Sequence, residues 1–207
     1  MSDATVLHDK RGHAFWITIN RPDKRNALSR GLITALDESF AAAVEDPKSR
    51  VIAITGEGPA FCVGGDVKDM AAGQGRDLGV DQRVRGLRQR MEASRLLHVM
   101  PQPTVAALRG AVAGAGLSLA LACDLRIVAR GTKITTAFAN VGLAGDFGGS
   151  WFLTQIVGAA RARDLYLRPR LIDADEALAM GLVTEVVDEP ALEARAREVA
   201  AGLAAGP

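Results

Sequence analysis

The apolar residues in the first third of the chain follow two periods, one typical of strands and one typical of a helix. Residues 5–7 and Ala14–Ile19 flank a short polar turn, a pattern that predicts a β-hairpin. Apolar side chains then recur every three or four positions between Ser29 and Pro47, which predicts a helix. A β-branched run at residues 51–55 predicts the next strand. We therefore expect a parallel strand–helix–strand crossover here.

The middle third repeats this arrangement. Apolar positions at helical spacing predict a helix over residues 80–98, and Thr104–Leu108 is predicted to be a buried strand. A helix of small residues at 114–122 and a strand at 124–128 follow. The glycine-rich, polar residues 71–79 are expected to form a mobile loop.

The last third is predicted to be mainly helical. The pattern predicts helices at 149–157, 159–167 and 173–180, a short strand at 183–187, and a last helix that Pro190 opens. We therefore expect an α/β fold, with a core domain at residues 1–190 and the start of a C-terminal helical region at 191–207.

Composition and charge narrow the function. The chain has 207 residues, 48% of them hydrophobic, which suits one domain with a sizeable core. Its net charge is +1, so no bulk field favours nucleic acid or a membrane as a partner. Two cysteines and the absence of an apolar signal core in the first ten residues favour a cytoplasmic location. The apolar stretch at residues 105–123 is too broken by glycine and arginine to span a bilayer.

Two glycine-rich segments carry the candidate chemistry. Residues 56–68 and 110–118 each follow a predicted strand and lead into a predicted helix. Backbone amides that are exposed at such turns favour negative charge. Taken singly, the first segment is equally typical of a strand-to-helix turn, and the second is more typical of close helix–sheet packing. A Gly-x-Gly pattern alone is weak evidence for a dinucleotide site. Two amides that converge from separate crossovers would form an oxyanion hole, each worth about 3–4 kcal/mol. That chemistry needs no cofactor.

Several motifs, taken in order, resemble the crotonase (enoyl-CoA hydratase/isomerase) superfamily over nearly the whole chain. They are Asn20-Arg21-Pro22 with Asn26-Ala27-Leu28, Ala60-Phe61-Cys62 with Gly64-Gly65-Asp66, Pro103 through Ala107, Gly110 through Gly116, Leu119 through Arg126, Gly142-Leu143 with Asp146, Gly148-Gly149-Ser150-Trp151, and residues 174–183. The resemblance implies a spiral of ββα turns. It also implies an acyl-CoA substrate and a homotrimer or a dimer of trimers. Relatives usually continue with further helices, so the C-terminal part is expected to be truncated.

The resemblance assigns the site residue by residue. The oxyanion amides would be those of Gly65 and Ala115. The residues expected to contact CoA are Lys24, Arg25, Ala27, Gly64, Asp66, Val67 and Lys68. The acyl pocket is expected to include Ser118, Phe138 and Phe147.

The chain departs from the hydratases of the family at two positions. Those members use two glutamates to activate water, and the matching positions here are Ser118 and Phe138. Neither side chain can act as a carboxylate base, so efficient hydration is not expected. Asp146 lies in a loop that resembles those of dienoyl-CoA isomerases and of ring-epoxide isomerases of phenylacetyl-CoA. By that resemblance Asp146 transfers protons, although an aspartate just before a helix is equally typical of an N-cap.

Two other functions stay open from the sequence. A hydratase could use a relocated acid such as Glu57 or Glu92, and loss of both glutamates could leave a non-catalytic acyl-CoA binding protein. Cys62 is expected to pack in the core rather than act as a nucleophile. The three histidines show no metal-ligand spacing, so no metal is expected. Six arginines form a cationic run that is predicted to be mainly a solvated helix face: Arg76, Arg83, Arg85, Arg88, Arg90 and Arg95.

Overall fold

The computed structural model describes residues 4–66 and 77–206. The strands are β1 (Val6–Arg11), β2 (Ala14–Ile19), β3 (Val51–Gly56), β4 (Thr104–Leu108), β5 (Ala111–Ala113), β6 (Leu125–Ala129), β7 (Lys133–Thr135), β8 (Ile172–Asp173) and β9 (Glu185–Val187). The helices are α1 (Arg30–Glu45), α2 (Val80–Arg90), α3 (Glu92–Val99), α4 (Ala115–Ala122), α5 (Gly149–Leu167), α6 (Ala174–Ala179) and α7 (Leu192–Ala204). Short 3-10 turns lie at Pro22–Lys24, Phe138–Val141 and Glu189–Ala191.

The main sheet has six strands in the order β1-β2-β3-β4-β6-β9. The hairpin β1–β2 is antiparallel, and every later pair in this sheet is parallel, which confirms the predicted crossovers. Its central strands are buried on both faces, as parallel strands covered by helices should be. On one face Trp16, Ala53 and Val105 pack with α7, and on the other Ile17, Ile54 and Ala106 join the larger core.

Three features of the fold differ from the sequence prediction. A second sheet of three short strands, β5-β7-β8, was not predicted because strands of two or three residues carry no readable alternation. The helix expected at residues 80–98 is two helices, α2 and α3, that meet at Met91. Helix α5 covers both helices expected at 149–157 and 159–167, and the left-handed Gly158 kinks it between them. The loop expected at residues 71–79 lies mostly outside the described residues.

The last helix, α7, is amphipathic and packs directly on the main sheet. Leu192, Ala196, Ala200 and Ala204 form its buried stripe. This spacing of four, with mostly alanine side chains, lets the helix approach the strands closely. The division between a core at residues 1–190 and a helical region at 191–207 remains a prediction.

Candidate active site

The two glycine-rich segments lie side by side at the centre of the molecule. Cys62 forms an isolated parallel bridge with Val112. The Cys62 amide donates to the Ala111 carbonyl at 3.3 Å, and the Ala113 amide donates to the Cys62 carbonyl at 3.0 Å. A third segment joins them, because the Leu28 amide donates to the Gly64 carbonyl at 2.8 Å. The predicted convergence of two distant turns is therefore present.

Glycine is required where these segments touch. A Cβ atom on Gly116 would lie 2.3 Å from the Cys62 carbonyl oxygen, closer than any real contact of that kind. Gly64 has a φ of 91°, and a Cβ there would lie 2.9 Å from the Ala113 carbonyl and 3.2 Å from the Ala115 nitrogen. Backbone therefore packs on backbone, which fixes the two segments relative to each other.

The amides of Gly65 and Ala115 have no hydrogen-bond acceptor among the described residues. Ala115 is the first residue of α4, so its amide is one of those that a helix leaves without an internal partner. Gly65 itself forms an isolated parallel bridge with Leu28. Both residues line one cavity of about 310 Å³, which we call the reaction cavity.

Asp146 lines the same cavity. Other wall residues are Leu28, Ile33, Leu87, Leu143 and Phe147, with Arg30, Asp66 and Arg90 at charged positions. The two residues that carry the free amides and one aspartate therefore share the wall of one mainly apolar space. An anion that forms beside the amides would be stabilised, and a carboxylate nearby could exchange a proton with the same molecule.

The Asp146 carboxyl group is half-buried, and its Oδ1 is buried with no hydrogen-bond partner among the described residues. Burial raises the pKa of Asp146, while the nearby Arg90 guanidinium acts in the opposite direction. The next residue, Phe147, holds a left-handed backbone with φ of 51°, which is costly for a phenylalanine. A raised pKa strengthens the carboxylate as a base, and the positive charge of the arginine favours its ionised form.

The alternative role of Asp146 as a helix cap is wrong. Helix α5 begins at Gly149, and its N-cap residue is Gly148, which has no side chain to accept a hydrogen bond. Only the backbone carbonyl of Asp146 contacts this helix, since it accepts from the Gly149 amide at 3.0 Å. The carboxyl group is therefore not used to stabilise the helix end.

Ser118 does not line the reaction cavity but links the segment around Asp146 to α4. Its side chain is buried, and its hydroxyl donates to the Gly114 carbonyl at 3.3 Å and the Asp146 carbonyl at 3.1 Å. A Cβ atom on Gly149 would lie 2.2 Å from this hydroxyl, so the aspartate loop packs closely on α4. Ser118 thus holds the Asp146 loop against the helix that presents the Ala115 amide.

Two side chains, those of Asn26 and Arg21, hold residues 21–27, which we call the entrance loop. In the sequence these two residues were noted only as parts of motifs. Asn26 is fully buried; its amide group donates to the carbonyls of Glu57 and Ala60, and its oxygen accepts from the Arg21 amide. The Arg21 guanidinium donates to the Ala27 carbonyl and pairs with the Asp66 carboxylate at 3.3 Å. The sequence offered one signal for this structural role: a polar residue within a motif to which no chemical role was assigned.

The comparison with known proteins identifies the family of this chain. Residues 10–207 match the model of the family described as enoyl-CoA hydratase/isomerase. The chain belongs to the enoyl-CoA hydratase/isomerase family. This confirms the predicted family, the α/β fold and the expectation of an enzyme of this family, and the family implies an acyl-CoA substrate.

Individual relatives differ in the reaction that their names give. The 1,2-epoxyphenylacetyl-CoA isomerase of Escherichia coli K12 is 33% identical over 100% of this chain and 78% of that protein. A Rhodobacter capsulatus protein named as a probable enoyl-CoA hydratase is 40% identical, with the same coverage. The crystal structure of enoyl-CoA hydratase from Bacillus anthracis has a TM-score of 0.90 and 31% identity, over 98% of this chain and 78% of that one.

Of the residues expected to contact CoA that the structure describes, Asp66 lines the reaction cavity. Lys24 and Arg25 are exposed on the entrance loop, and Ala27 is buried in it. Gly64 and Asp66 flank the Gly65 amide. Val67 and Lys68 lie outside the described residues, so their predicted contacts remain predictions.

The residues expected in the acyl pocket separate into two groups. Phe147 lines the reaction cavity, whereas Ser118 and Phe138 are buried behind its wall. The Phe138 ring stacks on the Tyr166 ring of α5 with centroids 6.0 Å apart, which gives it a packing role. Burial and the neighbouring Asp146 raise the pKa of Tyr166 to about 12, which keeps this phenol neutral.

The two acids considered for a relocated hydratase base do not line the reaction cavity. Glu57 lines a separate small cavity of about 160 Å³ beside Arg109, and Glu92 forms an ion pair with Arg95. This geometry weighs against either one replacing a missing glutamate, because a base must reach the proton that it moves.

The prediction that Cys62 packs in the core is confirmed. Cys62 is fully buried, and burial raises the pKa of its thiol to about 12, so a reactive thiolate is not formed. His98 packs against the rings of Trp151 and Phe152. Across residues 4–66 and 77–206, no group of three histidine, cysteine, aspartate or glutamate side chains is placed to hold a metal ion. None of the helices in the same ranges has the length and apolar character needed to cross a membrane.

Proposed function

We propose that this chain is an acyl-CoA isomerase in which Asp146 moves a proton along the acyl group of a bound thioester. The observation that carries the proposal is the shared cavity: Gly65 and Ala115, whose amides have no acceptor among the described residues, line it together with Asp146. Its volume and largely apolar wall suit the reacting end of an acyl group rather than a charged metabolite.

The reaction follows from these positions. The Asp146 carboxylate takes a proton from a carbon activated by the thioester carbonyl. The C–H bonding electrons form the enolate double bond, and the negative charge moves to the carbonyl oxygen, where the two amides stabilise it. When the enolate collapses, the protonated Asp146 returns the proton to another carbon of the conjugated chain. The double bond has then moved, with no gain or loss of atoms.

A relative named as an epoxyphenylacetyl-CoA isomerase supports an isomerase, and relatives named as hydratases favour a second candidate. In a hydratase, Asp146 would activate a water molecule instead of taking a proton from carbon. Ser118 and Phe138 weigh against this, because neither supplies the second acid that water addition uses in the hydratases that this chain resembles. A homotrimer or dimer of trimers is part of the same proposal and follows from the family resemblance alone, and a cytoplasmic location follows from the cysteine count and the N-terminal sequence.

Turnover of Asp146→Asn on enoyl-CoA and epoxyacyl-CoA esters tests the proposal. We expect isomerisation by the unmodified chain and a fall in kcat of about 10²–10⁴-fold in the variant, with ester binding retained in calorimetry. Asp81→Asn, at an exposed aspartate in the first turn of α2, is the matched control and should keep full activity. Equal rates for Asp146→Asn and the unmodified chain would remove the proton-transfer role. Binding without turnover of any ester would favour a non-catalytic binding protein, and water addition alone would favour the hydratase.

A further inference from the structure

A second and larger cavity adjoins the reaction cavity. This cavity, of about 460 Å³, lies between α1 and α2, and we call it the α1–α2 groove. Arg30, Ile33 and Arg90 belong to the walls of both spaces. The two spaces are therefore neighbours, and a ligand too long for the reaction cavity would enter the groove by passing these three side chains.

The walls of the α1–α2 groove are more polar than those of the reaction cavity. Beyond the shared residues it is lined by Thr34, Asp37, Gln82, Arg83 and Gln89, together with Leu78 and Gly86. A plain alkyl chain in this groove would displace water from charged and amide groups without replacing its hydrogen bonds, which is unfavourable. A ligand group with its own oxygen atoms would replace those bonds.

Asp37 has an unmet hydrogen-bonding capacity. It is half-buried, and its Oδ1 is buried without a hydrogen-bond partner among the described residues. Burial, together with the nearby Glu92 and Glu38 carboxylates, raises the pKa of Asp37 to about 6. Near neutral pH this side chain can therefore accept a hydrogen bond as a carboxylate or donate one as a carboxylic acid.

Arg83 provides the complementary donor. Within the described part of the chain, its guanidinium forms no ion pair, and it lines the same groove as Asp37. Asp37 and Arg83 thus offer an acceptor and a donor in one groove: a hydroxyl group can donate to the carboxylate or accept from the guanidinium, and a carboxyl group can do the same through its protonated and ionised forms. An unsubstituted methyl end can do neither.

We infer that the α1–α2 groove receives the far end of the substrate acyl group and selects esters whose far end carries a hydroxyl or carboxyl group. This inference rests on the proposed function, because it assumes that the thioester lies in the reaction cavity. Asp37 lies one turn of α1 beyond Ile33, about 6 Å along the helix axis, so the selected group is separated from the thioester by the length of the reaction cavity.

Binding of saturated, unreactive acyl-CoA esters by calorimetry tests the inference. Each chain length is compared as three esters, with a methyl, a hydroxyl or a carboxyl group at the far end. We expect the esters with a far hydroxyl or carboxyl group to bind about tenfold more tightly than the methyl ester at one intermediate chain length. The hydroxyl and carboxyl arms show which of the two groups the groove favours.

Asp37→Asn and Arg83→Gln should each reduce this tenfold preference to about twofold or less. Glu45→Gln on α1 and Arg85→Gln on α2 are the matched controls, since both side chains are exposed and lie outside the groove, and they should keep the preference. Arg83 is exposed, so its variant tests the groove even if Asp37→Asn folds poorly.

Three results would overturn the inference. Equal binding of the three esters at every chain length would do so while the proposed function stands. Weaker binding of free CoA to Arg83→Gln, to the same degree as for the esters, would assign the groove to CoA rather than to the acyl group. Failure of all esters to bind would overturn both this inference and the proposed function.

Discussion

The reaction cavity and the α1–α2 groove are neighbours, but different parts of the chain build them. In the reaction cavity, backbone amides carry the proposed chemistry, and glycine contacts and main-chain hydrogen bonds fix their positions. In the groove, long side chains of two surface helices carry the polar groups. The first arrangement is fixed by main-chain contacts, with backbone packed on backbone. The second can change with single substitutions, so the groove is where we expect a family member to acquire its own substrate.

The largest effect is expected where backbone packs on backbone. Gly116→Ala places a methyl group 2.3 Å from the Cys62 carbonyl oxygen and should force the two glycine segments apart. We expect a loss of about 3 kcal/mol in the free energy of unfolding and no detectable turnover, because the amides no longer converge. Chemical denaturation and the isomerase assay measure both.

Gly202→Ala is the control for this substitution. It lies in α7, where a Cβ atom would meet nothing within 4 Å, so alanine should stabilise the helix by about 0.5–1 kcal/mol. If Gly116→Ala were as stable and active as Gly202→Ala, the fixed contact between the segments would not be needed.

A smaller effect is expected where a side chain supports the reaction cavity without lining it. Ser118→Ala removes the hydroxyl that holds the Asp146 loop against α4. We expect kcat to fall about tenfold with KM almost unchanged, since substrate still binds but the base is less well positioned. Ser94→Ala removes another buried hydroxyl, one bonded to the Met91 carbonyl, and should leave both constants unchanged. A change in KM alone would instead place Ser118 in the binding surface.

The smallest effect is expected in the groove, as a dependence of stability on pH. The folded pKa of Asp37 is about 6, above its ordinary value of 3.8, so the fold favours the protonated form. This contribution to stability is complete below the ordinary pKa and is lost as pH rises through the folded pKa. Asp37→Asn lacks it, so the variant should gain about 1 kcal/mol relative to the unmodified chain between about pH 4 and about pH 7, after allowance for solvent screening.

Urea denaturation at a series of pH values measures this difference in the free energy of unfolding. Asp81→Asn, at an exposed aspartate on the facing helix, should show no such trend. A difference between Asp37→Asn and the unmodified chain that stays constant with pH would mean that the Asp37 carboxyl is as well solvated in the fold as in the unfolded chain.

The sequence predicted the architecture around the reaction cavity well because its signals are local. Buried strands such as Thr104–Leu108 form continuous apolar runs, and the two glycine segments stand between strand and helix in the printed order. The family motifs cover the same segments. The predicted break between two helices near Gly158 is present as a kink in α5. This signal is also local, since glycine disrupts the helical pattern.

The sequence did not predict features that depend on which side chains meet. Ser118 was expected at the acyl group, but its hydroxyl faces a carbonyl 28 positions later in the chain, a contact that no spacing reveals. In the sequence, Asp37 cannot be distinguished from any exposed polar residue on a helix. Its partial burial arises only in the folded chain, where α2 packs beside α1. Asp146 shows the converse case, because its position before a helix suggested a cap that the left-handed Gly148 and Phe147 exclude.

A crystal structure with a bound, unreactive acyl-CoA thioester tests the central claim most directly, because it locates the carbonyl oxygen that the two glycine segments are proposed to hold. The account predicts this oxygen at about 2.7–3.1 Å from the amide nitrogens of both Gly65 and Ala115, with the Asp146 carboxyl group beside the carbons next to the carbonyl. A thioester oxygen that contacts neither amide, in an otherwise ordered complex, would contradict it.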